Sequence, residues 1–251
     1  MRLGSELIEY TALMGEKKIN RTLRSKAILG FAGGALIALG FLACIRIGAA
    51  FQGNLQGIGS FLGASVFPVG LIIIIIAGGE LFTGNIMVVS MAFFDKKVTI
   101  KEMLVNWVQI LLFNAVGAIF VAYFLAYLTG LLTEGIFLEQ TLRLAEVRVN
   151  QTFIQAFLSG IGCNWFVSMA VYLSYASKDT AGKVLAAWFP VMTFVLIGFQ
   201  HSVANLFLLP LAVFLESFSW LDVIMNAIPV ILGNIIGGAI FVSALYYYSK
   251  D

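Results

Sequence analysis

The chain has 251 residues, of which 61% are hydrophobic and 11% charged. A water-soluble domain has about 45–50% apolar and about 25% charged residues, so this chain could not cover a folded surface with polar groups in water. Its net charge of +2 gives no basis for a nucleic-acid partner. The composition predicts an integral membrane protein, with membrane lipid as its surroundings.

Six apolar segments are long enough to cross a bilayer, which takes about 20 residues. We predict spans at 27–50, 58–94, 104–130, 152–176, 185–216 and 223–249. The second and fifth are too long for one simple helix, and each has polar residues midway, in GGELFTGN (78–85) and GFQHSVAN (198–205). The fold class is therefore an all-α polytopic membrane protein whose second and fifth helices are broken.

The distribution of Lys and Arg predicts the orientation, because cytoplasmic loops carry an excess of both. Six such residues precede the first span, three lie between the second and third, two between the fourth and fifth, and Lys250 is in the tail. The opposite side has only Arg143 and Arg148 between the third and fourth spans. Both termini are predicted to be cytoplasmic, with an amphipathic helix within residues 1–26 and the protein in the cytoplasmic membrane.

The two halves of the chain, 27–130 and 152–249, resemble each other at an offset of about 120 residues. Asn85 then aligns with Asn205, Glu80 with Gln200, and NAVGAIF (114–120) with NIIGGAIF (234–241). Each half holds three spans, an odd number, so the second half must start from the opposite side of the membrane. Broken segments at matching positions of an inverted repeat are the best sequence indication of a transport site near the midplane.

The two breaks predict a central anion site. Thr83 and Ser202 are placed to cap half-helices that begin near Gly84 and Val203, since hydroxyl oxygens accept from the first-turn N–H groups. Both helix N-termini would then face the protein centre, where each carries about half a positive charge.

Several polar residues lie within the apolar segments, where polar groups are functional by default. His201 is the only histidine in the chain. We expect it to contact the permeating species, although it could instead be a packing residue. Glu80 is expected to tie the loop at the break together, and Asn164 and Asn234 either join helices or line the pore. Cys44 and Cys163 lie in apolar segments and indicate packing, so no metal or cofactor is expected.

Large apolar side chains flank both breaks and could form constrictions that exclude hydrated ions. They are Phe67, Leu71, Leu81, Phe82 and Phe194.

The segments GELFTGN, NQTFIQAFLSGIGCNW, FQHSVAN and IPVILGNIIGG, with their spacing, resemble the formate/nitrite transporter family over nearly the whole chain. This resemblance implies an aquaporin-like protomer with one pore, assembled as a homopentamer, that carries formate, nitrite or hydrosulfide. By the same resemblance, Thr83 and His201 form the central polar pair, with Asn164 and Asn234 lining the pore.

The resemblance further implies a cytoplasmic constriction from Leu71, Leu81 and Phe82 and an outer one from Phe67 and Phe194. The loop residues Gln200, Ser202 and Asn205 belong to the second motif. In two places the chain departs from the formate-channel pattern: Gln200 stands where an acid is usual before the histidine, and Arg148 replaces a vestibule lysine. Both departures resemble the hydrosulfide-channel branch, while Arg148 remains placed to attract anions electrostatically.

Two other classes of function compete with an anion channel. A neutral-solute channel of the aquaporin type would suit the fold, but the chain contains no NPA motif. An intramembrane enzyme would need a nucleophile–base pair or a metal cluster. The chain contains neither G-x-S-x-G nor H-E-x-x-H, so we predict that it is not an enzyme.

The role of His201 has two versions. It could hand over a proton, so that a neutral acid crosses the apolar constrictions, or it could donate a hydrogen bond to an anion that stays charged. We expect the first, because two apolar constrictions suit a neutral species.

Overall fold

The computed structural model describes residues 1–249, which are almost entirely helical. The helices are α1 (Gly4–Ile19), α2 (Leu23–Ala49), α3 (Gln56–Val66), α4 (Val69–Ala77), α5 (Phe82–Phe94), α6 (Ile100–Phe120), α7 (Gly135–Val149), α8 (Phe153–Ala176), α9 (Thr180–Ile197), α10 (Ser202–Phe214), α11 (Trp220–Gly238) and α12 (Leu245–Tyr248). A short 3₁₀ turn (Gly53–Leu55) precedes α3, and π-helical segments extend α6 (Val121–Tyr127) and join α11 to α12 (Ala239–Ala244). Lys250, which contributed to the predicted orientation, lies outside the described residues.

Within residues 1–249, six helical stretches are long and apolar enough to cross a membrane. They match the six predicted spans, and the fold class is confirmed. The second span consists of α3 and α4 before its break and α5 after it, and the fifth consists of α9 and α10. Gly78 and Gly198 follow α4 and α9 with φ of 95° and 92°, a backbone conformation that glycine adopts without a Cβ clash. These two glycines therefore end the first half of each broken span.

Two boundaries differ from the sequence prediction. The fifth span begins at Thr180 rather than at 185, because the Asp179 side chain accepts from the Gly182 N–H and so starts the helix earlier. Residues 135–149, which we treated as a loop, form α7. This helix is too polar to be a span and buries only Thr141 and Ala145, so a search for apolar segments passes over it.

The repeat extends beyond the three spans of each half, because α7 precedes the fourth span as α1 precedes the first. Asn20 and Asn150 end these two short helices, and Thr22 and Thr152 cap the spans that follow, at an offset of 130 residues. Later in each half the offset is 120, as with the residues that cap α6 and α11, Thr99 and Ser219. Each half is therefore a short helix followed by three spans. The offset changes from 130 to 120 residues between the residue that caps the first span of a half and the residue that caps its third span.

Close helix pairs are built on glycine. A Cβ at Gly160 of α8 would lie 2.7 Å from the Val230 carbonyl oxygen of α11, and one at Gly63 would lie 2.9 Å from the Cys44 oxygen. Cβ atoms at Gly34 and Gly233 would overlap the carbonyl oxygens of Asn114 and Phe157. Gly34, Gly63 and Gly233 each belong to a G-x-x-x-G spacing in the sequence (30–34, 59–63 and 233–237), a pattern that lets helices pack closely.

Candidate functional site

The two half-helices α5 and α10 begin close together in the middle of the protein. Thr83, in the first turn of α5, places its Oγ1 3.0 Å from Nε2 of His201, which directly precedes α10. Both side chains are buried, with exposed fractions of 0% and 3%. The structure therefore brings together the two residues predicted to form the central polar pair, although 118 residues separate them in the chain.

The residues that cap the half-helices differ from the predicted ones. Thr83 lies inside α5 and does not cap it, because the helix begins at Phe82. Ser202 is likewise the first residue of α10, and its buried hydroxyl has no hydrogen-bond partner among the described residues. The N-cap of α10 is His201, whose Nδ1 accepts from the Ala204 N–H at 3.1 Å.

This N-cap bond decides which ring nitrogen of a neutral His201 carries the proton. A nitrogen that accepts from a backbone N–H has no proton of its own, so the proton lies on Nε2. Nε2–H then points at Thr83 Oγ1 and is the donor that an anion entering the centre would meet. Protonation of Nδ1 would place two donors face to face and break the N-cap.

Two asparagines hold the half-helix ends in place. The Asn114 Oδ1 atom accepts from the Phe82 N–H at 2.8 Å, and the Asn234 Oδ1 atom accepts from the Ser202 N–H at 3.0 Å. The amide nitrogen of Asn114 donates to the carbonyl oxygens of Glu80 in the loop and Gly30 in the neighbouring span. The amide nitrogen of Asn234 donates in the same way to the carbonyl oxygens of Gln200 and Gly160. Sequence reasoning missed Asn114, although its alignment with Asn234 in the repeat would have predicted it.

Asn164 belongs to the same scaffold. Its Nδ2 donates to the Asn234 carbonyl oxygen at 2.7 Å and to the Thr83 carbonyl oxygen at 3.2 Å. It therefore fastens α8 to both α11 and α5. Of the two interpretations left open for Asn164 and Asn234, the hydrogen bonds favour helix joining over pore lining, since both amide groups are occupied by backbone atoms.

A buried charged network lies on the side of the centre that we predicted to be cytoplasmic. Glu80 is fully buried, and its Oε2 accepts from Asn85 Nδ2 at 2.6 Å and from Lys18 Nζ at 3.0 Å. Its Oε1 lies 3.0 Å from Arg21 Nε. A buried carboxylate needs such partners. We predicted that Glu80 ties N–H groups of the loop together; its carboxylate instead contacts side chains of α1, of the turn after α1 and of α5, and so ties α1 to the first break.

A network without carboxylates occupies the equivalent place on the opposite side, which we predicted to be the outer one. Gln200 Oε1 accepts from Asn205 Nδ2 at 2.6 Å and from Asn226 Nδ2 at 2.9 Å, while its Nε2 donates to Gln151 Oε1 at 2.5 Å. Asn205 in turn accepts from Arg148 Nε at 3.1 Å. The predicted loop residues Gln200 and Asn205 are thus joined to the end of α7.

Arg148 is the cation of this outer network. It is partly buried, donates from a second guanidinium nitrogen to the Leu144 carbonyl oxygen, and lies 5.3 Å from the centre of the Phe41 ring. Within residues 1–249 no carboxylate forms a salt bridge with it. Burial lowers the pKa of Arg148 to about 10, which leaves it positively charged at neutral pH.

Aromatic rings separate Arg148 from the central pair. Phe67 and Phe194 are both 2% exposed and pack edge to face, with ring centres 5.9 Å apart, and Phe194 stacks on His201 at 6.0 Å. Phe41 packs against Phe67 at 5.6 Å. These rings, with Arg148 and His201, surround a cavity of only about 20 Å³, so the space between Arg148 and the central pair is narrow. Phe41 escaped the sequence analysis because it lies in α2, far from either break.

The side predicted to be cytoplasmic opens into a much larger cavity of about 380 Å³, called here the cytoplasmic cavity. Leu71 and Leu81 line it, and the exposed fraction of each residue is 2%. Phe82 is buried and lines neither cavity, because it is the first residue of α5 and packs inside the protein. Of the three residues predicted for the cytoplasmic constriction, the structure therefore brings Leu71 and Leu81 to the cavity and leaves Phe82 in the core.

Comparison with known proteins decides the family. The model of the formate/nitrite transporter family matches residues 5–248. The chain belongs to this family. It is 47% identical to an uncharacterized transporter, YrhG, of Bacillus subtilis (strain 168), over all of this chain and 95% of that protein. It is 44% identical to the formate channel BtFdhC of Bacillus thuringiensis, over 98% of this chain and 95% of the channel.

A solved structure of a pentameric formate channel with formate bound is also similar. It has a TM-score of 0.81 and 26% sequence identity, covering 90% of this chain and 96% of that one. Membership of the formate/nitrite transporter family makes the chain a multi-pass membrane transport protein and not an enzyme, as the sequence predicted. Family membership also argues against the alternative of a neutral-solute channel of the aquaporin type.

Proposed function

We propose that the protein is a channel for small monovalent anions of weak acids, with formate as the first candidate and nitrite and hydrosulfide as further ones. The observation that carries this proposal is the 3.0 Å contact between Thr83 Oγ1 and His201 Nε2, buried between two helix N-termini. Helix N-termini favour negative charge. Formate comes first because the formate channel of Bacillus thuringiensis is 44% identical to this chain.

The anion path proposed from the outer side begins at Arg148, which raises the local anion concentration. The anion then passes Phe67 and Phe194 and reaches His201, which stacks on Phe194. On the cytoplasmic side it passes Leu71 and Leu81 into the larger cavity. Apolar rings on one side and leucines on the other exclude water from the central pair, so the donors there act in a medium of low dielectric.

The chemistry at the centre is hydrogen-bond donation. Because His201 Nδ1 accepts from the Ala204 N–H, the ring holds its Nε2–H toward the centre, where an anion can replace Thr83 Oγ1 as the acceptor. Thr83 Oγ1 carries a second donor. This supports the second of the two versions considered from the sequence, in which the anion is not required to take a proton from the imidazole. A ring that gave up Nε2–H would be left with no proton at all.

The proposed assembly is a homopentamer with one pore in each protomer, in the cytoplasmic membrane and with both termini in the cytoplasm. The likeness to the pentameric formate channel supports the pentamer. Exposed apolar residues on the outer faces of the spans, among them Leu112, Val116 and Leu158, fit contact with lipid or with neighbouring protomers.

The deciding experiment is flux through the purified protein in liposomes. Formate uptake should exceed that of empty liposomes and should be lost in His201→Phe, which removes the donor and the N-cap together. Nitrite and hydrosulfide should pass the same pore and should be lost in the same variant. Uptake of water or glycerol without any of the three anions would overturn the proposal.

A further inference from the structure

The cytoplasmic cavity has a strongly cationic lining. Six of the residues that line it are Lys or Arg, and no lining residue within the described residues 1–249 is Asp or Glu. The six are Arg2, Lys17, Lys18, Arg21, Lys178 and Lys183. They come from the start of the chain, from α1 and the turn that follows it, and from the α8–α9 connection and the first turn of α9.

Part of this charge is already neutralised. Lys18 and Arg21 both bind the buried Glu80, and together they leave one net positive charge. Arg2 is fixed to the wall, since it donates to the Tyr175 carbonyl oxygen at 2.9 Å and its guanidinium lies 3.6 Å from the centre of the Tyr10 ring. Its charge has no carboxylate partner among residues 1–249.

The other three cations are free. Within the described chain, Lys17, Lys178 and Lys183 make no hydrogen bond or salt bridge through their ammonium groups. The acid next to Lys178 in the sequence, Asp179, is occupied elsewhere, since its Oδ1 accepts from the Gly182 N–H and its Oδ2 from Ser177 Oγ. The cavity therefore gathers several unpaired positive charges in one concave surface.

Such a surface suits a ligand with several negative charges. Formate is a single charge and is far smaller than a cavity of about 380 Å³. A compact ligand with two or more phosphate groups would meet cations on several walls at once, and Lys and Arg are the usual partners of phosphate. We propose that this cavity is a binding site for a small soluble polyphosphate anion, which closes the pore from the cytoplasmic side.

The position of the site explains the closure. The same cavity is lined by Leu71 and Leu81, so a ligand held by the lysines lies directly over the proposed cytoplasmic constriction. The ligand is expected to be soluble and not a lipid head group, because the walls include residues buried inside the protein, such as Val171 and Gly84. Binding does not depend on what the pore carries, whereas the block of anion flux rests on the function proposed above.

Binding is tested with inorganic pyrophosphate as the probe. The full chain in nanodiscs of phosphatidylcholine is titrated by calorimetry without divalent cations and at constant ionic strength. The native protein should bind pyrophosphate more tightly than chloride or formate. Replacement of three free lysines (Lys17→Gln, Lys178→Gln and Lys183→Gln together) should weaken binding at least about tenfold.

A matched control removes three cytoplasmic charges that lie outside the cavity, with Arg24→Gln, Lys96→Gln and Lys101→Gln combined. This variant should bind pyrophosphate as the native protein does. Equal loss in both variants would mean that the positive cytoplasmic surface acts without a specific site, and would overturn the proposal. Binding that needs anionic lipid in the nanodisc would overturn it as well.

The block is tested in a planar bilayer, where pyrophosphate is added first to one side and then to the other. Formate current should fall only when the probe faces the cytoplasmic cavity, and the triple lysine variant should resist the fall. A protein that binds pyrophosphate and carries no formate would refute the proposed function and leave the site intact. Formate current with no pyrophosphate binding would refute the proposed site and leave the proposed function intact.

Discussion

Glu80 and Gln200 occupy equivalent positions at the two breaks, and each accepts a hydrogen bond of 2.6 Å from the asparagine five residues later. Their remaining partners differ. Glu80 is bound by Arg21, while Gln200 is bound by Gln151, which occupies the place equivalent to Arg21 at the offset of 130 residues. An ion pair at one end of the pore is thus replaced by a neutral amide pair at the other. Each network keeps one net positive charge, from Lys18 and Arg148 respectively.

This relationship predicts the effect of placing a carboxylate at position 200 without a basic partner at position 151. Gln200→Glu adds a negative charge within the network that holds Arg148 and should reduce anion entry from the outer side about fivefold at low ionic strength. The double variant Gln200→Glu with Gln151→Arg reproduces the cytoplasmic arrangement and should recover most of the lost flux. Formate uptake into liposomes measures both. A double variant no faster than the single one would show that charge balance is not what matters at this end.

Removal of the Arg148 charge should slow flux in a salt-dependent way. Arg148→Glu should reduce formate uptake most at low ionic strength, because salt screens the long-range attraction of this charge for an anion in solution. Arg148→Lys keeps the charge and loses the separate guanidinium contacts to Asn205 and to the Leu144 carbonyl oxygen, so it should stay close to the native rate. The test is the initial uptake rate between about 20 mM and 500 mM salt. Slowing that is equal at all salt concentrations would point to misfolding.

The hydrogen-bonding role of His201 predicts a difference between two substitutions. His201→Phe should abolish flux, since it removes both the donor and the N-cap of α10. His201→Asn keeps an acceptor suited to the N-cap and supplies an amide N–H donor, so it should fold normally and retain measurable formate flux. Protein yield and liposome uptake separate the two effects. If the asparagine variant folded and carried nothing, proton transfer by the imidazole would be favoured instead.

The scaffold asparagines should matter for stability. Asn114→Ala leaves the Phe82 N–H and the carbonyl oxygens of Gly30 and Glu80 without their partner, and each buried unsatisfied group costs about 1–3 kcal/mol. Asn234→Ala does the same at the other break. Each variant should unfold several degrees lower than the native protein in detergent. The exposed Asn150→Ala is the matched control and should leave the unfolding temperature unchanged.

Local sequence signals were enough for the spans and the breaks. Apolar length gave six spans, and the glycines that end α4 and α9 were visible within GGELFTGN and GFQHSVAN. These features depend on neighbours in the chain, since a helix needs a minimum apolar length and a positive φ needs glycine. The short helix α7 lay beyond this reasoning because it is too polar to be recognised by apolar length.

The composition of the site depended on tertiary structure. In the repeat, His201 is equivalent to Leu81, and Thr83 to Val203, so the symmetry of the sequence does not by itself pair Thr83 with His201. Only the packing of α5 against α10 brings them within 3.0 Å, and only the N-cap bond to Ala204 fixes the proton on Nε2. The sequence determined where the helices break. The fold decided which side chains meet there, because contacts between distant residues depend on how whole helices pack.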